Sequence, residues 1–222
     1  MDQNVILVET VPLEFDLESL GCRLRIRPGQ TKFMDRLSRL AEQAVRVARP
    51  KAVARLCGLT ILDEEKVQVG EVIFSSPLLR QKMDGLGRAF PYLASEGMEL
   101  ADWSLSLSSS LEQVFASALR EVAVQQAEKL LERTLLERYG IAQVSAMNPG
   151  SLKVWSLEEQ VPLFELLAPL PEKLGVTLLP SLMMRPEYSV SGVFFQTDSK
   201  FYNCQLCPKK ECPNRKVPSL VT

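Results

Sequence analysis

The longest periodic pattern in this sequence lies between Ser110 and Arg138. Ser109 and Glu112 have the spacing of a capping box before it, and Gly140 follows at a position where helices commonly end. Steps of three and four residues place side chains on one face of an α-helix. We therefore predict one long amphipathic helix here. Its apolar face comprises Leu111, Val114, Phe115, Ala118, Leu119, Val122, Ala123, Ala127, Leu130, Leu131 and Leu135.

Shorter helix and strand patterns flank this helix in irregular order. Helices are predicted over 31–49, 99–107 and 157–168, the last with a capping box from Ser156 and Glu159. Strands are predicted over 53–61, 66–74 and 89–94, with Pro91 near the edge of the third. Because helices and strands do not alternate strictly, a doubly wound parallel sheet is disfavoured. We expect an α+β fold in which helices pack on an antiparallel sheet.

Length and charge narrow the class of protein. A chain of 222 residues suits one medium-sized domain, or a domain with a small appendage. With 26 basic and 27 acidic residues the net charge is −1, so no overall field attracts nucleic acid or an anionic membrane. No apolar run of membrane-spanning length occurs, and the first residues lack the features of a signal peptide. We therefore expect a cytoplasmic protein.

Histidine is absent from the sequence. Its absence excludes a Ser-His-Asp triad, a Cys-His dyad, a histidine-ligated zinc site and a histidine general base. Any metal must be bound by Cys, Asp or Glu, and this chain cannot give a histidine ligand to a corrinoid. The five cysteines are an odd number, which makes a poor disulfide framework in a chain of this length.

Three cysteines cluster near the end of the chain as Cys204-x2-Cys207-x4-Cys212. Two thiolates separated by two residues can bind one metal from a tight turn, and a third can complete one face of the site. The basic residues nearby would offset thiolate charge: Lys209, Lys210, Arg215 and Lys216. The fourth ligand would be Cys22, Cys57, an acidic residue, an exogenous group or a cysteine of another chain. A cluster of four irons and four sulfides fits slightly better than zinc. We predict a metal-binding tail over 203–222.

The stretch 181–192 lies between two apolar runs, 176–179 and 193–195, which read as strands. In a strand one of Met183 and Met184 should leave the core, because successive side chains face opposite ways. Ser189, Ser191 and Gly192 offer hydroxyls and a close backbone approach. The residues alone are consistent with a binding loop and equally with a tight hairpin.

Two parts of the sequence resemble a known domain. Residues 184–195 read Met-Arg-Pro-Glu-Tyr-Ser-Val-Ser-Gly-Val-Phe-Phe, and Asp198 to Tyr202 follow. This segment is similar to the closing segment of the activation domain of vitamin B12-dependent methionine synthase. Asn148-Pro149-Gly150, followed by 155–160, resembles the Pro-Gly loop and helix of that family. The resemblance covers most of 50–203. It implies a twisted antiparallel sheet, binding of S-adenosylmethionine, and reductive remethylation of a Co(II) cobalamin held elsewhere.

The resemblance assigns roles to individual residues. Pro149 and Gly150, with Asn148 and Ser151 beside them, match the loop that approaches S-adenosylmethionine, and Tyr202 (or Phe201) matches an aromatic residue that caps it. The loop expected to face the corrinoid contributes Met184, Pro186, Tyr188, Ser189, Ser191 and Gly192.

The chain also departs from the family pattern. Ala146 stands where the family typically has an arginine that would pair with the methionine carboxylate, and Ser151 stands where it has a tyrosine. The cysteine tail is not part of the methionine synthase pattern either.

Two functional hypotheses follow. The first is a stand-alone reactivation factor with an activation-like domain over 1–202 and a cysteine-rich tail over 203–222. It would bind S-adenosylmethionine, dock a corrinoid protein or cobalamin-dependent methyltransferase, and use its own iron–sulfur cluster. The second is a non-catalytic module that binds a corrinoid protein and carries a structural zinc, with no S-adenosylmethionine site.

Overall fold

The computed structural model describes residues 3–209, 212 and 215–220, and Lys210 lies outside these residues. The first half of the chain forms β1 (Val5–Val8), α1 (Leu17–Arg23), α2 (Thr31–Val47), β2 (Lys51–Arg55), β3 (Cys57–Ile61), β4 (Lys66–Val69), β5 (Val72–Ser75), α3 (Pro77–Lys82), β6 (Arg88–Ser95) and α4 (Met98–Ser106). The second half forms α5 (Ser110–Tyr139), β7 (Val144–Met147), α6 (Gln160–Leu167), α7 (Leu170–Leu174), β8 (Thr177–Leu178), β9 (Met184–Arg185) and β10 (Ser189–Gln196). Single 3₁₀ turns cover Leu157–Glu159 and Asn203–Leu206.

Eight strands form one sheet in which β6 is the central strand. β10 pairs along one side of β6, and β7 pairs with the outer side of β10. On its other side β6 pairs with β2 towards its end and with β3 at its start. β1 extends the sheet beyond β2, and β4 and β5 extend it beyond β3. Each of these pairings is antiparallel, which confirms the predicted α+β class with an antiparallel sheet and packed helices.

Two predicted strands were each wrong in extent. The run 53–61 is divided at Leu56: β2 before it pairs with β1 and with the end of β6, and β3 after it pairs with the start of β6 and with β4. The run 66–74 is a hairpin of β4 and β5, because Gly70 adopts φ +59° between them. A left-handed glycine reverses the chain where an alternating pattern alone suggests continuity.

Proline in β6 has a specific position. Pro91 pairs with Val193 of β10, while the ladder with β3 ends at Ala89 and the ladder with β2 begins at Tyr92. Pro91 therefore lies at the gap between two neighbours on one side of a central strand. A residue without an N–H is tolerated at such a gap.

The long helix is confirmed, but neither capping box forms. α5 ends where Gly140 takes φ +61°. Ser109 makes no side-chain cap hydrogen bond. Ser156 donates instead to the Glu158 carboxylate, and the Glu159 carboxylate accepts from the backbone N–H of Ser75 at 3.2 Å. The Glu159 side chain thus bonds to a neighbouring strand instead of capping the helix as the local pattern had predicted.

Both faces of the sheet are buried. One face packs with α3, α6 and α7 around Phe74, Trp155 and Leu163. The other packs against α5 around Phe90, Tyr92 and Leu131. A third cluster joins α2, α4 and the first half of α5 around Leu37, Leu119 and neighbouring residues. Among the helices of the described residues, none is long and apolar enough to cross a membrane.

Candidate functional site

A cavity of about 620 Å³ lies between α5 and the β7–β10 edge of the sheet. α5 forms one wall and the strands form a second. The chain after β10 forms the third, including three residues of the tail: Asn203, Cys204 and Lys216. The lining residues are Gln125, Glu128, Lys129, Glu132, Val144, Ala146, Asn148, Phe194, Lys200, Phe201, Tyr202, Asn203, Cys204 and Lys216. Cavities of this volume are typical of small-molecule sites.

The third wall is fixed to the sheet by a buried anchor. After β10 the chain turns, and Phe201 enters the core with 7% of its surface exposed. Its N–H donates to the Ser145 hydroxyl on β7 at 2.7 Å. This anchor places Lys200 and Tyr202 on either side of it along the cavity wall. The Lys200 ammonium lies 5.8 Å from the centre of the Tyr202 ring.

A hydrogen-bond chain crosses the cavity wall from helix to tail. The buried Tyr92 hydroxyl donates to Glu128 at 2.7 Å and accepts from the Asn148 amide at 2.8 Å. The Asn148 oxygen in turn accepts from Asn203 at 3.1 Å. Burial, followed by the neighbouring Glu128 carboxylate, holds the pKa of Tyr92 well above its ordinary value. Tyr92 thus remains a neutral donor, and the chain fixes the side chain of Asn148.

Gly192 makes room for this chain. A Cβ at Gly192 would lie 2.4 Å from the Met147 carbonyl oxygen and 2.6 Å from the Asn148 amide nitrogen. The same amide nitrogen also donates to the Ser191 carbonyl at 2.8 Å. A glycine is therefore required for β10 to lie this close to Asn148.

The cavity carries charges of both signs. Lys129, Lys200 and Lys216 supply three ammonium groups, and Glu128 and Glu132 supply two carboxylates. Lys200 is paired with Glu132, and Glu128 accepts from Tyr92. A ligand with an amino group and a carboxylate would find counter-charges for both.

The structure brings together three predicted site residues from two distant parts of the sequence. Asn148, Tyr202 and Cys204 all line the cavity. Pro149, Gly150 and Ser151 do not; they form a turn that is closed by the Gly150 N–H to the Trp155 carbonyl at 2.9 Å. Gly150 takes φ +76° there, against Leu157.

The stretch 181–192 is only partly a loop. β9 pairs with β8 in a small two-stranded sheet, and Ser189, Ser191 and Gly192 belong to β10 rather than to a loop. Pro186, Ser191 and Gly192 are buried, whereas Met184, Tyr188 and Ser189 are partly exposed. Met183 is 53% exposed while Met184 packs on the core, which confirms that one methionine leaves it.

A buried ion pair contacts this stretch at Tyr188. Arg120 of α5 donates two hydrogen bonds of 2.6 Å to the Glu96 carboxylate, which has no exposed side-chain surface. Glu96 accepts from the Tyr188 N–H at 3.2 Å, and the Arg120 guanidinium lies 4.5 Å from the centre of the Tyr188 ring. Burial raises the pKa of Glu96, although the hydrogen bonds from Arg120 act in the opposite direction.

The cysteines occupy different environments. Cys22 is exposed on α1, whereas Cys57 is buried in β3, where burial raises the pKa of its thiol. Cys204, Cys207 and Cys212 are half-buried, and Cys207 packs against the core with Leu206. Within the described part of the chain, no three Cys, Asp or Glu side chains are already arranged as a metal-ligand set. The predicted metal site at Cys204, Cys207, Cys212 and Cys22 stays a prediction.

Sequence reasoning missed the α5 wall of the cavity. Gln125, Glu128, Lys129 and Glu132 recur at helical spacing opposite the apolar face of α5. Such a polar stripe usually marks a solvated face, so it carries no signal by itself. Lys200, Asn203 and the buried Tyr92 were missed for a related reason, because their roles depend on contacts with residues distant in sequence.

The fold and the cavity define a class: an α+β domain in which a long helix and an antiparallel sheet enclose a small-molecule cavity. Among solved structures, the chain is similar to the crystal structure of the MetH reactivation domain bound to AdoHcy. The TM-score is 0.61 and the sequence identity 17%, over 89% of this chain and 80% of that chain. The fold is therefore that of the reactivation domain of a methionine synthase. No protein-family model and no curated protein matches the sequence.

Proposed function

We propose that the chain binds S-adenosylmethionine in this cavity and serves as a reactivation factor for a corrinoid protein. The observation that carries the proposal is the meeting of Asn148 and Tyr202 at one cavity of about 620 Å³. These residues are far apart in sequence; Asn148 adjoins the segment that resembles the family's Pro-Gly loop, and Tyr202 matches the aromatic residue that caps the ligand in that family. The similar solved reactivation domain, which is bound to AdoHcy, supports the same ligand class.

The chemistry of the walls fits a nucleoside attached to an amino acid. Tyr202 and Phe201 offer aromatic surface to a purine, and the lysines offer partners to a carboxylate. Glu132 and Glu128 can accept from an ammonium group. The side-chain amide oxygen of Asn203 is buried with no donor among the described residues, and a ligand N–H or a bound water can satisfy it.

The reactivation role adds a partner and an electron source. The partly exposed Met184, Tyr188 and Ser189 form an edge held by the Glu96–Arg120 pair, and this edge would contact the corrinoid protein. Cys204, Cys207 and Cys212 would hold an iron–sulfur cluster, which when bound supplies the low-potential electron that Co(II) reduction needs. The chain's own residues would orient the two cofactors.

Calorimetry with S-adenosylmethionine tests the ligand site. We expect Tyr202→Ala to weaken binding and Ala146→Arg to strengthen it about tenfold, because a charged pairing with the carboxylate is restored. Ala146→Met is the matched control, since it adds length on the same edge strand without charge. No binding at millimolar ligand by the wild-type chain would sink the proposal.

Docking is tested with a second variant pair. The probe is the cobalamin-binding domain of a methionine synthase, mixed with the full chain in an analytical ultracentrifuge. We expect complex formation, weakened by Met183→Ser but not by Leu105→Ser, which alters a still more exposed apolar residue on α4. Equal effects of the two substitutions would place the contact elsewhere.

One observation favours a second candidate function. Ala146, which lines the cavity, provides no guanidinium at the position where the family typically has an arginine. A non-catalytic module that binds a corrinoid protein and carries a structural zinc would not need one. Elemental analysis and visible absorption of anaerobically purified protein separate the two. A colourless protein with one zinc supports the second function, and a brown iron-containing protein supports the first.

A further inference from the structure

The cysteine segment and the candidate ligand cavity share a residue. Cys204 is the first cysteine of the cluster and also lines the cavity. Lys216, beyond the last cysteine, lines the same cavity, and its backbone N–H lies 3.5 Å from the Cys204 sulfur. A metal centre bound by these cysteines would therefore form part of the cavity wall.

Hydrogen bonds close the segment on itself. The Arg215 side chain donates to the Cys204 carbonyl at 3.3 Å, and the Arg215 N–H donates to the Cys212 carbonyl at 3.2 Å. The Ser219 hydroxyl donates to the Cys207 carbonyl at 3.0 Å. The backbone carbonyls of all three cysteines are thus hydrogen-bonded within one segment, from Cys204 to Ser219.

The wall charges are unfavourable for a cation in the absence of a metal. The described lining residues include three lysines and two glutamates, which leaves one net positive charge. S-adenosylmethionine carries a positive sulfonium, whereas S-adenosylhomocysteine has a neutral thioether in its place. Three thiolates around a centre of charge 2+ leave one net negative charge, for a zinc ion and for a four-iron cluster alike.

We propose that a thiophilic metal centre on Cys204, Cys207 and Cys212 makes the cavity select the sulfonium ligand over the thioether. This rests on the proposed function, because it concerns the same ligand site. A sphere of 620 Å³ is about 11 Å across, so any occupant lies within about that distance of Cys204. Over 11 Å, at an effective dielectric constant between about 20 and 40, one unit charge changes the affinity for another by about four- to tenfold.

The test uses Cd²⁺ as the metal, because its bond to thiolates absorbs in the ultraviolet. Metal-free and Cd²⁺-loaded full chain are titrated with both ligands under reducing conditions. We expect the ratio of the two dissociation constants to shift about four- to tenfold towards S-adenosylmethionine on loading. By linkage, S-adenosylmethionine then tightens Cd²⁺ binding by more than S-adenosylhomocysteine does, by the same factor. An unchanged ratio, or no thiolate absorption on adding Cd²⁺, overturns the proposal.

Cys207→Ser isolates the metal's contribution, because Cys207 is not among the residues that line the cavity. We expect this variant to lose both Cd²⁺ absorption and the shift in ligand preference. Pro208→Ser is the matched control, which places a serine at the exposed neighbouring position and should keep both. A Cys207→Ser variant that retains the shift overturns the proposal.

Failure of the ligand site is distinguishable from failure of this inference. If neither ligand binds in either form, the proposed function fails. Hydrogen exchange at the backbone amides of Tyr202 and Asn203 then reports whether Cd²⁺ orders the wall. Slower exchange on loading supports the metal centre as part of the wall, and unchanged exchange overturns it.

Discussion

Replacing Arg120 with methionine should destabilise the protein and make its stability depend on pH. The guanidinium supplies two hydrogen bonds of 2.6 Å to the fully buried Glu96 carboxylate. In Arg120→Met that carboxylate keeps only the Tyr188 N–H at 3.2 Å. Removing one partner of a buried ion pair costs about 3–5 kcal/mol of unfolding free energy. Total stability of small domains is only about 5–15 kcal/mol, so the loss at pH 7 is readily measured.

The pH dependence has a definite sign. Burial already raises the folded-state pKa of Glu96 above its ordinary value of 4.5, and loss of Arg120 raises it further. A carboxyl whose pKa is higher in the folded state binds its proton more tightly there, so stability increases as pH falls towards 4.5. One proton contributes at most about 1.4 kcal/mol per pH unit, so Arg120→Met should recover up to about 2.7 kcal/mol between pH 7 and 5.

Urea unfolding followed by circular dichroism at pH 5, 6 and 7 measures both effects. The double variant Arg120→Met with Glu96→Gln should show no such recovery, because the buried group no longer titrates. Arg133→Met, at an exposed pair with Glu137, should leave stability unchanged within error. An Arg120→Met variant that loses less than about 1 kcal/mol at pH 7, or that follows the pH profile of the double variant, refutes the reasoning.

Three further substitutions test individual contacts within the fold. Gly97→Ala should cost about 2 kcal/mol or more in urea unfolding, because Gly97 has φ +87° and a Cβ would lie 2.4 Å from a carbonyl oxygen; Gly58→Ala, with open space around it, is the control and should be near neutral. Ser76→Ala should cost about 1–2 kcal/mol, since the buried hydroxyl caps α3 and donates to a backbone carbonyl at 2.7 Å; a smaller loss would mean that water replaces it. Tyr92→Phe should cost about 1–3 kcal/mol by leaving Asn148 with one fewer partner. The ultraviolet tyrosinate titration of the folded variant up to pH 10 should nevertheless match that of the wild type, because burial holds the pKa of Tyr92 well above its ordinary value.

Local sequence patterns were sufficient to predict an element where the spacing of apolar residues or a single glycine determines its geometry. The apolar spacing of α5 and the left-handed Gly140 at its end were readable from sequence. The two capping boxes were also readable as patterns, but neither formed; at the second one, the Glu159 carboxylate accepts instead from the N–H of Ser75. A pair spaced for local bonding forms only when no better distant partner competes.

The candidate site was predictable only in its polar loop residues. Asn148 and Tyr202 were singled out by resemblance, and the structure places both at the cavity. Glu128 and Lys129 lie on a face of α5 that looks solvated in sequence, since nothing local shows that β7 and Lys200 pass opposite it. Their involvement follows from the order of strands around β6, which no single segment encodes.

The length of α5 sets a geometric limit on the proposed reaction. Arg120, which holds Tyr188, and Glu128, which is bonded to Tyr92 at the cavity, are eight residues apart on one continuous helix. At 1.5 Å per residue they are separated by about 12 Å along the helix axis. A methyl group is transferred in a direct displacement and cannot cross such a gap. A partner that docks at the Tyr188 edge would therefore have to extend its prosthetic group over the mouth of the cavity. The length of helix between Arg120 and Glu128 fixes the distance that the group must reach.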